Sequence, residues 1–137
     1  MYQFFVDVVK KVKKAVRPRT VKSVDEVSLL FKKERATSVT IEPACYTTLA
    51  GLHKITVDYI GVSEKKTLRK REVLRTIEER NVDERLLMQE MKKLFPSIKE
   101  RAEKLKKDLG IPVTIPEQFV RAFTAPSHAT TSPGANA

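Results

Sequence analysis

Between Asp7 and Asp25 the chain carries seven cations, Lys10, Lys11, Lys13, Lys14, Arg17, Arg19 and Lys22, and no acid. A run of uncompensated positive charge has one obvious chemistry, the neutralisation of phosphates, with affinity that falls steeply as salt rises. Lys32, Lys33 and Arg35 follow closely, and Lys65, Lys66, Arg69, Lys70 and Arg71 make a second cluster. The whole chain of 137 residues has a formal net charge of +10, unevenly spread: residues 1–35 hold ten cations against four acids, while residues 36–62 hold one against two. Such asymmetry points to nucleic acid or an anionic membrane surface rather than a small-molecule substrate. No aromatic residue lies among Lys10 to Lys22, so the base stacking used on single strands has no obvious platform there. Backbone contact with a duplex is the expectation. Lys10 to Lys22 are its first-choice phosphate contacts, Lys32, Lys33 and Arg35 its second, and the 65–71 cluster closes the other side.

Catalytic chemistry has little to build on. The two histidines, His53 and His128, stand apart, one in a core-like segment and one in a polar tail. Cys45 is the single cysteine, which excludes an intrachain disulfide framework or a zinc cluster of thiolates; it reads as a small core residue. The acid pairs Glu78-Glu79 and Asp83-Glu84 are flanked by Arg80 and Arg85 and read as surface ion pairs. The four glycines have no phosphate-loop spacing. The chain is therefore expected to be a non-enzyme that uses no cofactor or metal. No run of about eighteen apolar residues exists to span a membrane. The apolar Phe4-Phe5-Val6 precedes the lysines, the reverse of a secretory signal.

The elements that would position these charges follow from periodicity. Phe4, Phe5, Val8, Val9, Val12 and Val16 recur every three to four residues, the mark of an amphipathic helix. Pro18 stops it, and Ser23 with Glu26 has the form of a capping box for a second helix striped by Val24, Val27, Leu30 and Phe31. Ser38 to Ile41 alternates polar and apolar, so a short strand at Val39–Ile41 is the one expected departure from helix. Pro43 is then expected to open a helix whose core stripe is Cys45, Leu49, Leu52, Ile55 and Tyr59, closed by Gly61, with a strand at Val57, Tyr59 and Ile60 as the alternative. Ser63 would cap a helix over 64–80 with Leu68, Val73, Leu74 and Ile77 inward. Asp83 would cap another containing Leu86, Leu87, Met91, Leu94 and Phe95. A kink or restart is expected at Pro96-Ser97, a left-handed stop at Gly110 and a last short helix with Phe119 and Phe123 on one side. The expected fold is all-α: a basic helix-turn-helix arm (1–36), a small helical bundle (37–123) and a polar tail (124–137).

Two families share parts of this pattern. Ser38-Val39-Thr40-Ile41-Glu42-Pro43, a helix with Tyr46 and Leu49, Gly61-Val62-Ser63 and a basic second helix are similar to a ribbon-helix-helix repressor. That resemblance implies a dimer reading the major groove from paired strands. Here the outward strand positions would be Ser38, Thr40 and Glu42, and a carboxylate aimed into the groove is unfavourable. Over the whole chain, a basic helix-turn-helix arm before a compact bundle looks like the helical major coat proteins of filamentous archaeal double-stranded DNA viruses. This resemblance implies a virion subunit, pairing with itself or a paralogous coat protein and polymerising along A-like duplex DNA that it encases. A basic chromatin or ribosomal protein, DNA-associated in the cytoplasm, is the third expectation.

Overall fold

The computed structural model describes residues 19–78 and 82–124. Lys10, Lys11, Lys13, Lys14, Arg17, the Phe4–Val16 stripe, the Pro18 turn, His128 and the tail from residue 125 lie outside them. In chain order the described elements are β1 (Arg19–Val21), α1 (Val24–Lys33), β2 (Ser38–Thr47), β3 (His53–Val62), β4 (Thr67–Ile77), α2 (Glu84–Leu109), β5 (Val113–Thr114) and α3 (Glu117–Thr124). The strands form one mixed sheet in the order β1-β4-β3-β2-β5. β2, β3 and β4 are an antiparallel meander, and β1 and β5 add as short parallel edges, β1 to β4 and β5 to β2.

The all-α expectation is therefore wrong for the middle of the chain. Where a helix was expected from Pro43 to Gly61, two strands pair from Ser38↔Val62 to Thr47↔His53. Many apolar residues of the two strands are β-branched or aromatic (Val39, Ile41, Tyr46, Ile55, Val57, Tyr59, Ile60), side chains that suit a pleated surface better than a helix. Thr48 to Leu52 is the hairpin turn: Thr48 N donates to Leu52 O at 2.8 Å, Gly51 N to Thr48 O at 2.9 Å, and Leu52 N to the Thr48 hydroxyl at 3.1 Å. Gly51 supplies φ 88°, a left-handed conformation that costs glycine nothing. Leu49, expected in the core, is fully exposed at this tip.

The expected helix over 64–80 is also a strand. β4 pairs with β3 throughout, with Leu74 inserted as a bulge where the register shifts between Ile55↔Arg75 and Thr56↔Val73. The strand at Val39–Ile41 is present, as the longer β2. β2 is flanked on both sides, by β3 and β5. β5 covers only Val39 and Thr40, and what the ribbon-helix-helix resemblance loses is its two helices, since the segments expected to form them are strands.

One face of the sheet packs under the helices. Val39, Ile41, Cys45, Ile55, Val57 and Tyr59 point into that core, joined by Val27 and Phe31 of α1 and Met91, Phe95, Ile98 and Leu105 of α2. The sheet and α1 approach closely at Gly61, where a Cβ would stand 2.9 Å from Phe31 Cε2. Of the helical expectations that rested on caps, those at Asp83 and Gly110 are met, while the Ser63 cap belongs to a turn and not to a helix. Asp83 accepts from Leu86 N at 2.9 Å, and Gly110 ends α2 at φ 64°. α2 runs through Pro96 without the restart expected at Ser97. Proline sits there on the exposed side, where water can serve the carbonyl it leaves unpaired. Phe119 and Phe123 do share one side of α3, with ring centroids 6.2 Å apart, and Phe123 lies 5.7 Å from Phe95. At α1 the capping box is only partly built. Ser23 makes no side-chain cap, and Glu26 instead accepts from Lys22 N at 3.1 Å.

Candidate nucleic-acid interface

Two basic clusters far apart in sequence meet at one corner of the sheet. α1 ends in Lys32 and Lys33, and Arg35 then takes φ 58°, reversing the chain so that Ala36 N reaches back to Phe31 O at 2.9 Å. Thr37 next donates to Val62 O through both its backbone N (2.7 Å) and its hydroxyl (3.0 Å), which sets the turn after α1 against the end of β3. From Val62 the chain enters the β3–β4 turn. There Ser63 N donates to Lys66 O at 2.9 Å, and the Ser63 hydroxyl accepts from Lys66 N at 3.2 Å. The two pieces are clasped by Lys66 Nζ and Glu34 Oε1 at 3.1 Å. Lys32, Lys33 and Arg35 thus share this corner with Lys65 and Lys66, and β4 leads away from it with Arg69 and Lys70. β1 runs beside β4 and pairs Arg19 with Lys70.

Availability differs among these residues. Arg19, Lys32, Lys33, Arg35, Lys65, Arg69 and Lys70 make no ion pair among the described residues; all are exposed except Lys70, which is half-buried. Lys22 follows β1 and is also exposed. Arg71 must be withdrawn from the expected phosphate contacts. It is 7% exposed and holds Asp58 through Nε and Nη2 at 2.7 and 2.9 Å, with its guanidinium 5.1 Å from the centre of the Tyr46 ring. Burial disfavours the charge on Arg71, but Asp58 outweighs it and the pKa is raised. A buried, doubly bonded arginine is committed to the fold.

On the helix side of β4 lies a second buried charge group that charge runs in the sequence did not indicate. Glu72 accepts the Tyr59 hydroxyl at 2.6 Å and, on its two oxygens, Arg101 Nε and Nη2 at 2.9 Å each. The remaining Arg101 nitrogen reaches the carbonyl and hydroxyl of Ser97, so one residue of α2 is tied to the middle of the strand that carries Arg69 and Lys70. Burial, and then the bond to Glu72, hold the Tyr59 phenol well above its ordinary value. Its folded-state pKa exceeds the unfolded one, so its contribution is complete below about pH 10 and is lost as pH rises beyond. Above pH 10, urea-unfolding stability should fall more steeply in the parent than in Tyr59→Phe, by up to about 1.4 kcal/mol per pH unit. Equal slopes would remove this group from the alkaline response.

The residues considered for catalysis are dispersed. Cys45 is buried, and His53 Nδ1 lies 3.1 Å from the Thr47 hydroxyl at the other end of the β2–β3 hairpin. Asp83 is a helix cap, and Glu79 lies outside the described residues. Among the described residues no group of three His, Cys, Asp or Glu is placed to hold a metal ion, and no helix is long and apolar enough to cross a membrane. Comparison of the chain with protein-family models, curated proteins and solved structures finds no match.

Proposed function

We propose that this protein is a nucleoprotein that binds double-stranded DNA through its phosphate backbone, with the corner built from α1, the β3–β4 turn and β4 as a principal contact surface. One observation carries the reading. Lys32, Lys33 and Arg35 join Lys65, Arg69 and Lys70 at one corner, where Glu34, Asp58 and Glu72 are engaged in ion pairs and the exposed Glu64 of the β3–β4 turn is far outnumbered by these six cations. Uncompensated cations gathered on rigid elements raise the local potential for a polyanion. The surface offers lysine and arginine heads and no exposed aromatic among those residues, which favours contact with phosphates over stacking on bases. Lys10, Lys11, Lys13, Lys14 and Arg17 extend the same chemistry from the N-terminal part of the sequence.

The coat-subunit form of this proposal adds polymerisation along the duplex in a virion. It was suggested by a helical-bundle layout that the sheet replaces, so it now rests on charge and size alone. Titration of a long random duplex over a range of salt, with footprinting at saturation, tests both levels. The seven unpaired cations at roughly 0.9 per contact predict about −6 for the slope of log affinity against log salt, to which any N-terminal cations on the same duplex would add. Continuous protection without sequence preference supports a coat-like mode; protection of one short site would replace it with a regulator. A slope near zero, or no binding at low salt, would sink the proposal altogether.

A further inference from the structure

The parallel pairing of β1 with β4 sets Arg19 directly beside Lys70. Their side chains share a face. Two positions on, Val21 and Glu72 are also partners, Val21 in the core and Glu72 bonded to Arg101 of α2, so both point to the helix side. Side chains alternate with a period of two, which places Arg19 and Lys70 on that same side. Like charges at directly opposed positions repel across a ladder. An acid in the same row or the next could relieve this, yet none is available among the described residues. Glu72 has both oxygens taken by Arg101 and one also by Tyr59. Asp58 is on the other face, held by Arg71, and Glu34 is held by Lys66. The partner across β3 is Tyr59, which points its hydroxyl at Glu72.

We propose that Arg19 and Lys70 form a two-pronged clamp for a single phosphate group of the nucleic-acid backbone, the planar guanidinium fork taking two oxygens and the ammonium a third. The strands are about 4.8 Å apart, close enough for both heads to reach one tetrahedral anion. This rests on the nucleic-acid reading for the source of the phosphate, while the anion site itself stands on the register alone. β1 is only three residues long, and a bound anion would also secure it to the sheet edge.

The test measures thermal unfolding of the parent, Arg19→Gln, Lys70→Gln and the charge-conserving Arg19→Lys in chloride, and again with about 50 mM inorganic phosphate at matched ionic strength. A bound anion stabilises the folded state by mass action. The parent and Arg19→Lys should gain roughly 3 °C in phosphate, and each Gln variant should lose most of that gain. In chloride the Gln variants should melt at or above the parent temperature, since each removes a repulsion; this also shows that they fold. General stabilisation by phosphate affects all four proteins alike and cancels in the comparison. If the Gln variants gain as much as the parent, or the parent gains nothing, the clamp is refuted. A parallel titration with a 20-base-pair duplex separates the two ideas. Duplex binding without a phosphate-specific gain removes the clamp and leaves the DNA proposal; a phosphate-specific gain without duplex binding does the reverse.

Discussion

Replacing Arg101 with methionine is expected to destabilise the folded chain by about 3 kcal/mol, at the lower end of what breaking a buried ion pair costs. Glu72 is the reason. Its side chain is 8% exposed, and in the variant it would keep a negative charge with only the Tyr59 hydroxyl to satisfy it. Arg101 is 24% exposed, so some water can replace it, which is why the upper end of the range is not expected. For a chain of this size the melting temperature should fall by roughly 10 °C. Adding Glu72→Gln to Arg101→Met should recover a large part of the loss, because the neutral amide is far cheaper to bury than an unpaired carboxylate. A single variant within 1 kcal/mol of the parent would mean that the network contributes nothing net. The consequence reaches the surface as well: β4 carries Arg69 and Lys70, and Arg101 is the side chain that ties the middle of that strand to α2.

How far the sequence discloses all this depends on the kind of signal. Caps were legible because they are local: Asp83 and Gly110 act through their own neighbours, whatever the rest of the chain does. The meander was not, although β3 alternates: Lys54, Thr56 and Asp58 are polar between Ile55, Val57 and Tyr59, a period of two that the helix reading passed over. With Leu49 and Leu52 included, the same apolar residues fit a helix stripe, although Leu49 belongs to a turn. β4 misleads differently. Arg71 and Glu72, adjacent and opposite in charge, are both buried on opposite faces of the sheet, each matched by a partner distant in sequence. A run such as Arg69-Lys70-Arg71-Glu72 reads as a solvated helix face unless Asp58 and Arg101 are known to lie beside it. The basic clusters were visible as composition. Their convergence was not, since it depends on Thr37 bonding to Val62 and on the Glu34–Lys66 clasp, neither of which leaves a periodic trace.

Charge removal at the corner should have the largest effect on nucleic-acid affinity. In a variant with Lys32, Lys33, Lys65, Arg69 and Lys70 all changed to Gln, five phosphate contacts are lost, and the salt slope should flatten by about four units. Extrapolated on the same linear relation from 1 M salt, where the counterion term vanishes, this amounts to roughly 10⁴-fold weaker binding at 0.1 M. Lys66 is left in place because its contact with Glu34 closes the corner. Gln has a helix propensity close to that of Lys, so Lys32 and Lys33 can be changed without loosening α1, whose buried Val27 and Phe31 are untouched. Melting within a few degrees of the parent is therefore expected, and it separates lost contacts from lost folding. The companion variant, Lys10, Lys11, Lys13 and Lys14 to Gln, should flatten the slope by three to four units if the N-terminal cations bind the same duplex. If the corner variant keeps the parent slope while the N-terminal variant loses its share, the corner cations are only a solvated surface. The phosphate contacts then belong to the N-terminal run.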